Sequence, residues 1–216
     1  VLVSLCLITN ANAKARDDSN GNIFTPQDEK QERPNEPLPE AIVTTKSAKP
    51  DELMSEDSDS DSNSETIVVP YLSDTVTLDG VLDDAAWQHA QEVTLNVVTR
   101  PFENTTPPVE TVARIFENGD TIYIGFTAFD NDPSEIRALF RDRDSVWDND
   151  LVGIKLDTFG DSRLSYQFFV NPHGIQIDSI ENQMTRSESA SWNAIWDSEA
   201  KITNKGYTVE IALPFR

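Results

Sequence analysis

Cysteine is almost absent from this chain: its 216 residues include one, Cys6. No intrachain disulfide and no cysteine metal cluster can form. Histidine is nearly as scarce, with His89 and His173 alone, and no Gly-x-Ser-x-Gly elbow, metalloprotease helix motif or phosphate loop occurs. Those catalytic constellations therefore lack their parts; the abundant carboxylates leave a glycosidase pair open without placing one, and no catalytic residue is expected. Basic residues are also few, 17 Lys and Arg against 38 Asp and Glu, for a formal net charge of −21. Phosphate recognition needs a basic footprint, so nucleic acid is not an expected partner. No apolar run reaches the roughly 20 residues that a membrane helix requires.

The front of the chain carries two segments unlike the rest. Val1–Ala13 is a short apolar run ending in Ala-x-Ala, which reads as the tail of a secretory signal peptide cleaved after Ala13. Cys6 would leave with it. Export without disulfides fits a bacterial envelope or secreted protein, in the periplasm, at the outer membrane or outside the cell. Residues 14–66 hold 14 acidic and 6 basic residues with almost no aromatics. Such a tract, centred on Ser55-Glu-Asp-Ser-Asp-Ser-Asp-Ser-Asn-Ser-Glu65, cannot bury enough surface to offset its ordering entropy, so a disordered acidic linker is expected.

From Ile67 short β-rich runs alternate with turn signals. Strands are expected over 67–72, 93–98, 109–117, 121–129, 151–159, 164–170, 174–180, 200–203 and 207–213. Asn118-Gly-Asp is a tight hairpin signal, and Tyr123-Ile-Gly-Phe-Thr-Ala-Phe alternates so that one face points inward. Helical pattern is confined to 83–91, with Asp83 as N-cap, and to 134–139. Many strands with hairpin turns and little helix predict an antiparallel β-sandwich of immunoglobulin-like or jelly-roll type, with one or two short helices, over 67–216. Trp87, on the first helix, reads as a core anchor.

The other three tryptophans sit in polar neighbourhoods: Ser-Val-Trp147-Asp-Asn-Asp and Ser-Trp192-Asn-Ala-Ile-Trp196-Asp. A flat ring beside fixed amides and carboxylates suits a sugar or another amphipathic ligand. Asp130-Asn-Asp132-Pro and Asp148-Asn-Asp150 place carboxylates two residues apart, oxygen donors of the kind calcium accepts, although neither follows the helix-loop-helix calcium loop.

Four blocks in order carry a resemblance. They are Asp79-Gly…Asp83-Asp-Ala-Ala-Trp87, Thr121-Ile-Tyr-Ile-Gly-Phe-Thr-Ala-Phe-Asp130, Trp147-Asp-Asn-Asp-Leu-Val-Gly-Ile-Lys-Leu-Asp157 and Gly206-Tyr-Thr-Val-Glu-Ile-Ala-Leu-Pro-Phe215. Together they resemble the family-9 carbohydrate-binding module, a β-sandwich accessory domain of xylanases and related glycoside hydrolases. Arg141-Asp-Arg-Asp, Asp157-Thr-Phe-Gly-Asp-Ser-Arg and Phe169-Val-Asn-Pro-His-Gly-Ile-Gln-Ile-Asp are similar to a bacterial subgroup in which the module precedes an outer-membrane β-barrel region. The resemblance implies a non-catalytic domain that binds a polysaccharide or oligosaccharide between two clamping tryptophans. Trp147 matches the first, and Trp192 or Trp196 the second. Asn149, Arg141 and Asn193 are the hydroxyl partners expected from their proximity in sequence. The resemblance also implies structural calcium, for which Asp130, Asp132 and Asp150 are the candidates. Two other readings remain open at this level: a structural or gating domain on an outer-membrane barrel without a sugar site, and a haem-binding relative in which His173 and Met184 are the available axial ligands.

Overall fold

The computed structural model describes residues 4–10 in backbone only, together with 67–95, 106–107 and 109–215. The expected linker over 14–66 lies outside the described residues. Among the described residues, ten strands form two five-stranded antiparallel sheets. They are β1 (Ser4–Asn10), β2 (Gln91–Leu95), β3 (Thr111–Glu117), β4 (Thr121–Phe129), β5 (Leu151–Asp157), β6 (Leu164–Val170), β7 (Gln176–Asn182), β8 (Ser187–Ser189), β9 (Asp197–Thr203) and β10 (Gly206–Pro214). One sheet runs β1-β5-β6-β7-β8 and the other β2-β3-β4-β10-β9. The expected antiparallel β-sandwich is the observed fold.

Alternation explains how the sheets meet. Ala113 and Ile115 of β3, Ile122, Ile124, Phe126 and Ala128 of β4, and Tyr207, Val209, Ile211 and Leu213 of β10 are buried in one cluster with Val152, Ile154, Phe168 and Val170 of the opposing sheet. These positions are two apart along each strand, so a single face of each sheet supplies the core between the layers.

The outer face of the β3-β4-β10 sheet has its own cover. Leu72, Val76, Leu78, Leu82 and Ala90 pack with Trp87 on Phe116, Tyr123 and Ala212. Trp87 is buried, as expected of a core anchor, and meets Phe116 edge-on at 5.2 Å. Gly125 makes the close approach feasible: a Cβ there would lie 2.3 Å from Leu82 and 3.1 Å from the Trp87 ring. The cover is fixed by one fully buried carboxylate, Glu210 on β10. Glu210 accepts the Asp79 and Gly80 amides at 2.9 Å and the Trp87 indole N–H at 3.0 Å. Gly80 turns at φ +78°, which lets the Asp79-Gly80 amides converge on that carboxylate.

The expected helices are shorter than read. Ala85–Gln88 is a single 3-10 turn, and Asp84, not Asp83, precedes it. The Asp84 side chain accepts the Thr77 amide instead of capping the turn. The second is a 3-10 turn at Pro133–Glu135 whose Ser134 amide donates to Asp132. The first stops early because β2 begins at Gln91, a few residues on. Among the described residues, 67–72 make one bridge, Tyr71 to Glu117, and β8 had no counterpart in the expected strands. Ser4–Asn10, within the expected leader, pairs with β5 from Ser4↔Asp157 to Asn10↔Leu151. No helix among the described residues is long and apolar enough to cross a membrane.

Burial raises the Glu210 carboxyl above its ordinary value, although the bonds from Asp79, Gly80 and Trp87 oppose the rise. A group that holds its proton more tightly when folded contributes stability below its unfolded value, and that contribution is lost as pH rises through the folded value. Urea unfolding as a function of pH should therefore show a loss of stability as pH rises through the raised Glu210 value, and Glu210→Gln should flatten it. The substitution also turns one acceptor into a donor facing buried N–H groups, with an expected loss of about 1–3 kcal/mol.

Candidate functional site

The β5-β6-β7 sheet has two chemically distinct faces, and its register defines them. Val152 pairs with Val170, Ile154 with Phe168, and Leu156 with Tyr166; these residues face the core between the sheets. The residues between them, Gly153, Lys155, Phe169 and Gln167, point to the other side, joined there by Ile177, Ser179 and Glu181 of β7. At one end of this outer face Trp147 packs with Val146, Leu151, Phe169, Ile175 and Ile177. The half-buried Trp147 ring meets Phe169 at 5.6 Å and 64°. A Cβ on Gly153 would come within 2.5 Å of the Phe169 ring and 2.2 Å of the Phe168 carbonyl, so only glycine lets that ring lie across β5.

Next along the same face lies a connected polar row that composition and motifs had not singled out. Lys155 on β5 reaches Glu181 on β7 at 3.0 Å, spanning β6. Gln167 donates to Glu181 at 2.8 Å and accepts from the Ser179 hydroxyl at 3.1 Å. The alternation Lys155-Leu-Asp and Ser165-Tyr-Gln167 was the available signal, since polar residues two apart mark a shared face. An aromatic patch thus adjoins fixed donors and acceptors.

The other two tryptophans lie elsewhere. Trp196 is 4% exposed and packs edge-on against Phe168, at 5.4 Å and 82°. Its buried indole N–H meets no acceptor among the described residues, and the Arg143 guanidinium stands 5.9 Å from its ring centre. Trp192 is half-buried against Tyr166 and Phe168, at 4.9 and 5.8 Å. Phe168 faces the core and Phe169 faces out, so Trp147 is on the opposite side of β6 from Trp192 and Trp196. The expected two-ring clamp is not formed by either pairing. Arg143 holds this crossover: it donates to the fully buried Asp178 and to the Ala194 carbonyl, while Asp178 accepts the Ala194 amide.

Residues 78–216, more than half of the chain, match the carbohydrate family 9 binding domain-like family. The chain belongs to that family. Among solved structures, a candidate carbohydrate-binding protein from Bacteroides uniformis is similar at TM-score 0.52 and 14% identity, over 68% of this chain and 71% of that one. A family 9 module from Caldicellulosiruptor kristjanssonii solved with glucose reaches TM-score 0.48 and 16% identity, over 69% and 68%. The same organism's module with cellotriose reaches 0.45 and 17%, over 68% and 65%. No curated protein matches.

As a family 9 domain, the chain can be checked at its remaining expected positions. Asn149 is fully buried and structural: its carbonyl oxygen accepts the Leu139 amide at 2.6 Å and the Asn171 side chain at 3.1 Å. Arg141 is exposed and pairs with Asp148 at 3.4 Å. Asn193 is exposed in the β8–β9 crossover. The calcium candidates do not form a nest. Asp130 accepts the Asp132 amide, Asp132 accepts Ser134, and Asp150 accepts the Arg137 amide at 2.9 Å. No group of three His, Cys, Asp or Glu side chains placed to hold a metal ion occurs among the described residues, so Asp130, Asp132 and Asp150 are not brought together in one cluster. His173 precedes β7 and Met184 follows it. A seven-residue strand separates them by about 20 Å, too far for one iron.

Gly153→Ala should distort the Phe169–Trp147 patch, because the new methyl meets a backbone oxygen that cannot rotate away. A loss of about 1–3 kcal/mol in denaturant unfolding is expected, accompanied by a changed tryptophan emission spectrum.

Proposed function

We propose that this domain binds carbohydrate without catalysing its breakdown, and that the binding face is the outer surface of β5-β6-β7. The observation that carries the reading is the adjacency of the Trp147–Phe169 patch to the Lys155–Gln167–Ser179–Glu181 row, in a chain of family 9 membership. A pyranose presents an apolar C–H face and a rim of hydroxyls, and here the half-buried Trp147 ring adjoins the partly buried Lys155 and Glu181, which Gln167 and Ser179, themselves buried, hold in place. Glucose and cellotriose bind to the Caldicellulosiruptor modules, so cello- and xylo-oligosaccharides are the first ligands to try. One stacking ring contributes about 0.5–1.5 kcal/mol beyond area burial, which supports weak affinity.

In a calorimetric titration with cellotriose, Trp147→Ala should weaken binding by about tenfold, equivalent to about 1.4 kcal/mol. Glu181→Gln should weaken it by a similar factor. Trp192→Ala, which alters the opposite side of β6, should bind as the parent chain does; loss of binding in that variant alone would move the site to the crossover.

The reading extends to location. The domain serves outside the cytoplasm as an accessory of polysaccharide breakdown or uptake, supported by the leader-like Val1–Ala13 and the single cysteine within it. Cleavage after Ala13 would remove β1 and leave β5 as the sheet edge. Sequencing the N-terminus of the protein secreted by a bacterial host should return Lys14 as the first residue, and a retained Val1 would refute export by this route.

A further inference from the structure

Phe140 and His173 lie outside the residues just described. Phe140 is 76% exposed, yet its ring lies flat on His173, with centroids 3.9 Å apart and planes 16° from parallel. An exposed phenylalanine on an ordinary loop samples many orientations. This one has a rigid mount, because both ring-bearing segments are tied to the same buried side chain.

Asn171 is fully buried. Its amide nitrogen donates to the Leu139 carbonyl, the peptide that leads into Phe140, at 3.1 Å. Its oxygen accepts the His173 amide at 3.0 Å and the Ile175 amide at 2.9 Å. Asn149, also fully buried, holds the Leu139 amide from the other side. The pair is thus a pre-oriented aromatic platform, which lowers the entropy cost of stacking a ligand on it.

We infer that Phe140 and His173 form a second pyranose subsite, used by longer saccharides that also engage the Trp147 face. The inference rests on the carbohydrate reading above. The segment at 137–139 lies alongside 148–150 through the Arg137–Asp150 and Leu139–Asn149 bonds, at the start of β5 where Trp147 sits. That path keeps Phe140 and Trp147 within about 20 Å, since each residue adds at most about 3.8 Å, a span that a short oligosaccharide covers. Arg141, half-exposed beside Phe140, supplies planar donors for hydroxyls between the two platforms. The chemistry selects a neutral, equatorially substituted pyranose, because stacking needs an unbroken C–H face.

Cellotriose and cellohexaose titrated against the full chain test the inference. The parent should bind the hexasaccharide about tenfold more tightly than the trisaccharide, as two linked subsites require. Phe140→Ala should leave cellotriose binding unchanged and abolish the gain with length, His173→Ala should reduce the gain, and Phe140→Trp should preserve it. A length gain that survives in Phe140→Ala, or no gain in the parent, overturns the second subsite while leaving a Trp147-dependent cellotriose site standing. Absence of cellotriose and cellohexaose binding alike overturns both.

Discussion

Phe168 and Phe169 are adjacent in the chain and point to opposite sides of β6. The contacts of Trp147, Trp192 and Trp196 follow from that pleat. Phe168 gathers Trp192 and Trp196 toward the inter-sheet core, and Phe169 gathers Trp147 on the outside. Because side-chain direction in a strand has period two, no small adjustment brings these groups together; a register slip of one residue would turn the whole buried face of β6 to solvent. The outer face is consequently where the half-buried Trp147 ring and the partly buried Lys155–Glu181 pair coincide.

The remaining structure keeps that face rigid. On the far sheet, Glu210 gathers three N–H donors and locks the 78–90 cover over β4 and β10. On the near sheet, Arg143 bound to Asp178 fixes the crossover that carries Trp192 and Trp196, while Asn149 and Asn171 anchor the loops around the start of β5. These buried polar groups are satisfied by backbone partners, which makes each an orienting device for a loop as well as a contact. Weak sugar binding depends on such preorganisation, since a stacking ring contributes little if it must first be ordered.

Much of the fold was legible in the sequence. Thr121–Phe129 and Leu164–Val170 were expected as strands with the bounds observed, because alternation and flanking turn residues agree there. Trp87 could be placed because it sits on a short apolar pattern after an Asp-Gly turn. The short β8, Ser187–Ser189, carries no apolar signal at all. The helix at 83–91 was overread, since apolar spacing over two turns is also what a single 3-10 turn docked on a sheet presents.

The site was less legible. Trp147, Trp192 and Trp196 share polar sequence surroundings, but surroundings in sequence do not reveal which face of β6 a loop crosses. Asn149 looked like a hydroxyl partner, and its burial between Leu139 and Asn171 depends on two loops 30 residues apart in the chain folding together. Lys155, Gln167, Ser179 and Glu181 become a row only through the pairing of three strands.

The central claim is that ligand meets the outer face of β6. The four tryptophan indole N–H groups give separate signals in a two-dimensional 1H–15N spectrum, and cellotriose can be titrated while all four are followed. The account predicts that the Trp147 signal shifts progressively with ligand, while those of Trp87, Trp192 and Trp196 hold their positions. Shifts at Trp192 or Trp196 with Trp147 unmoved would contradict it.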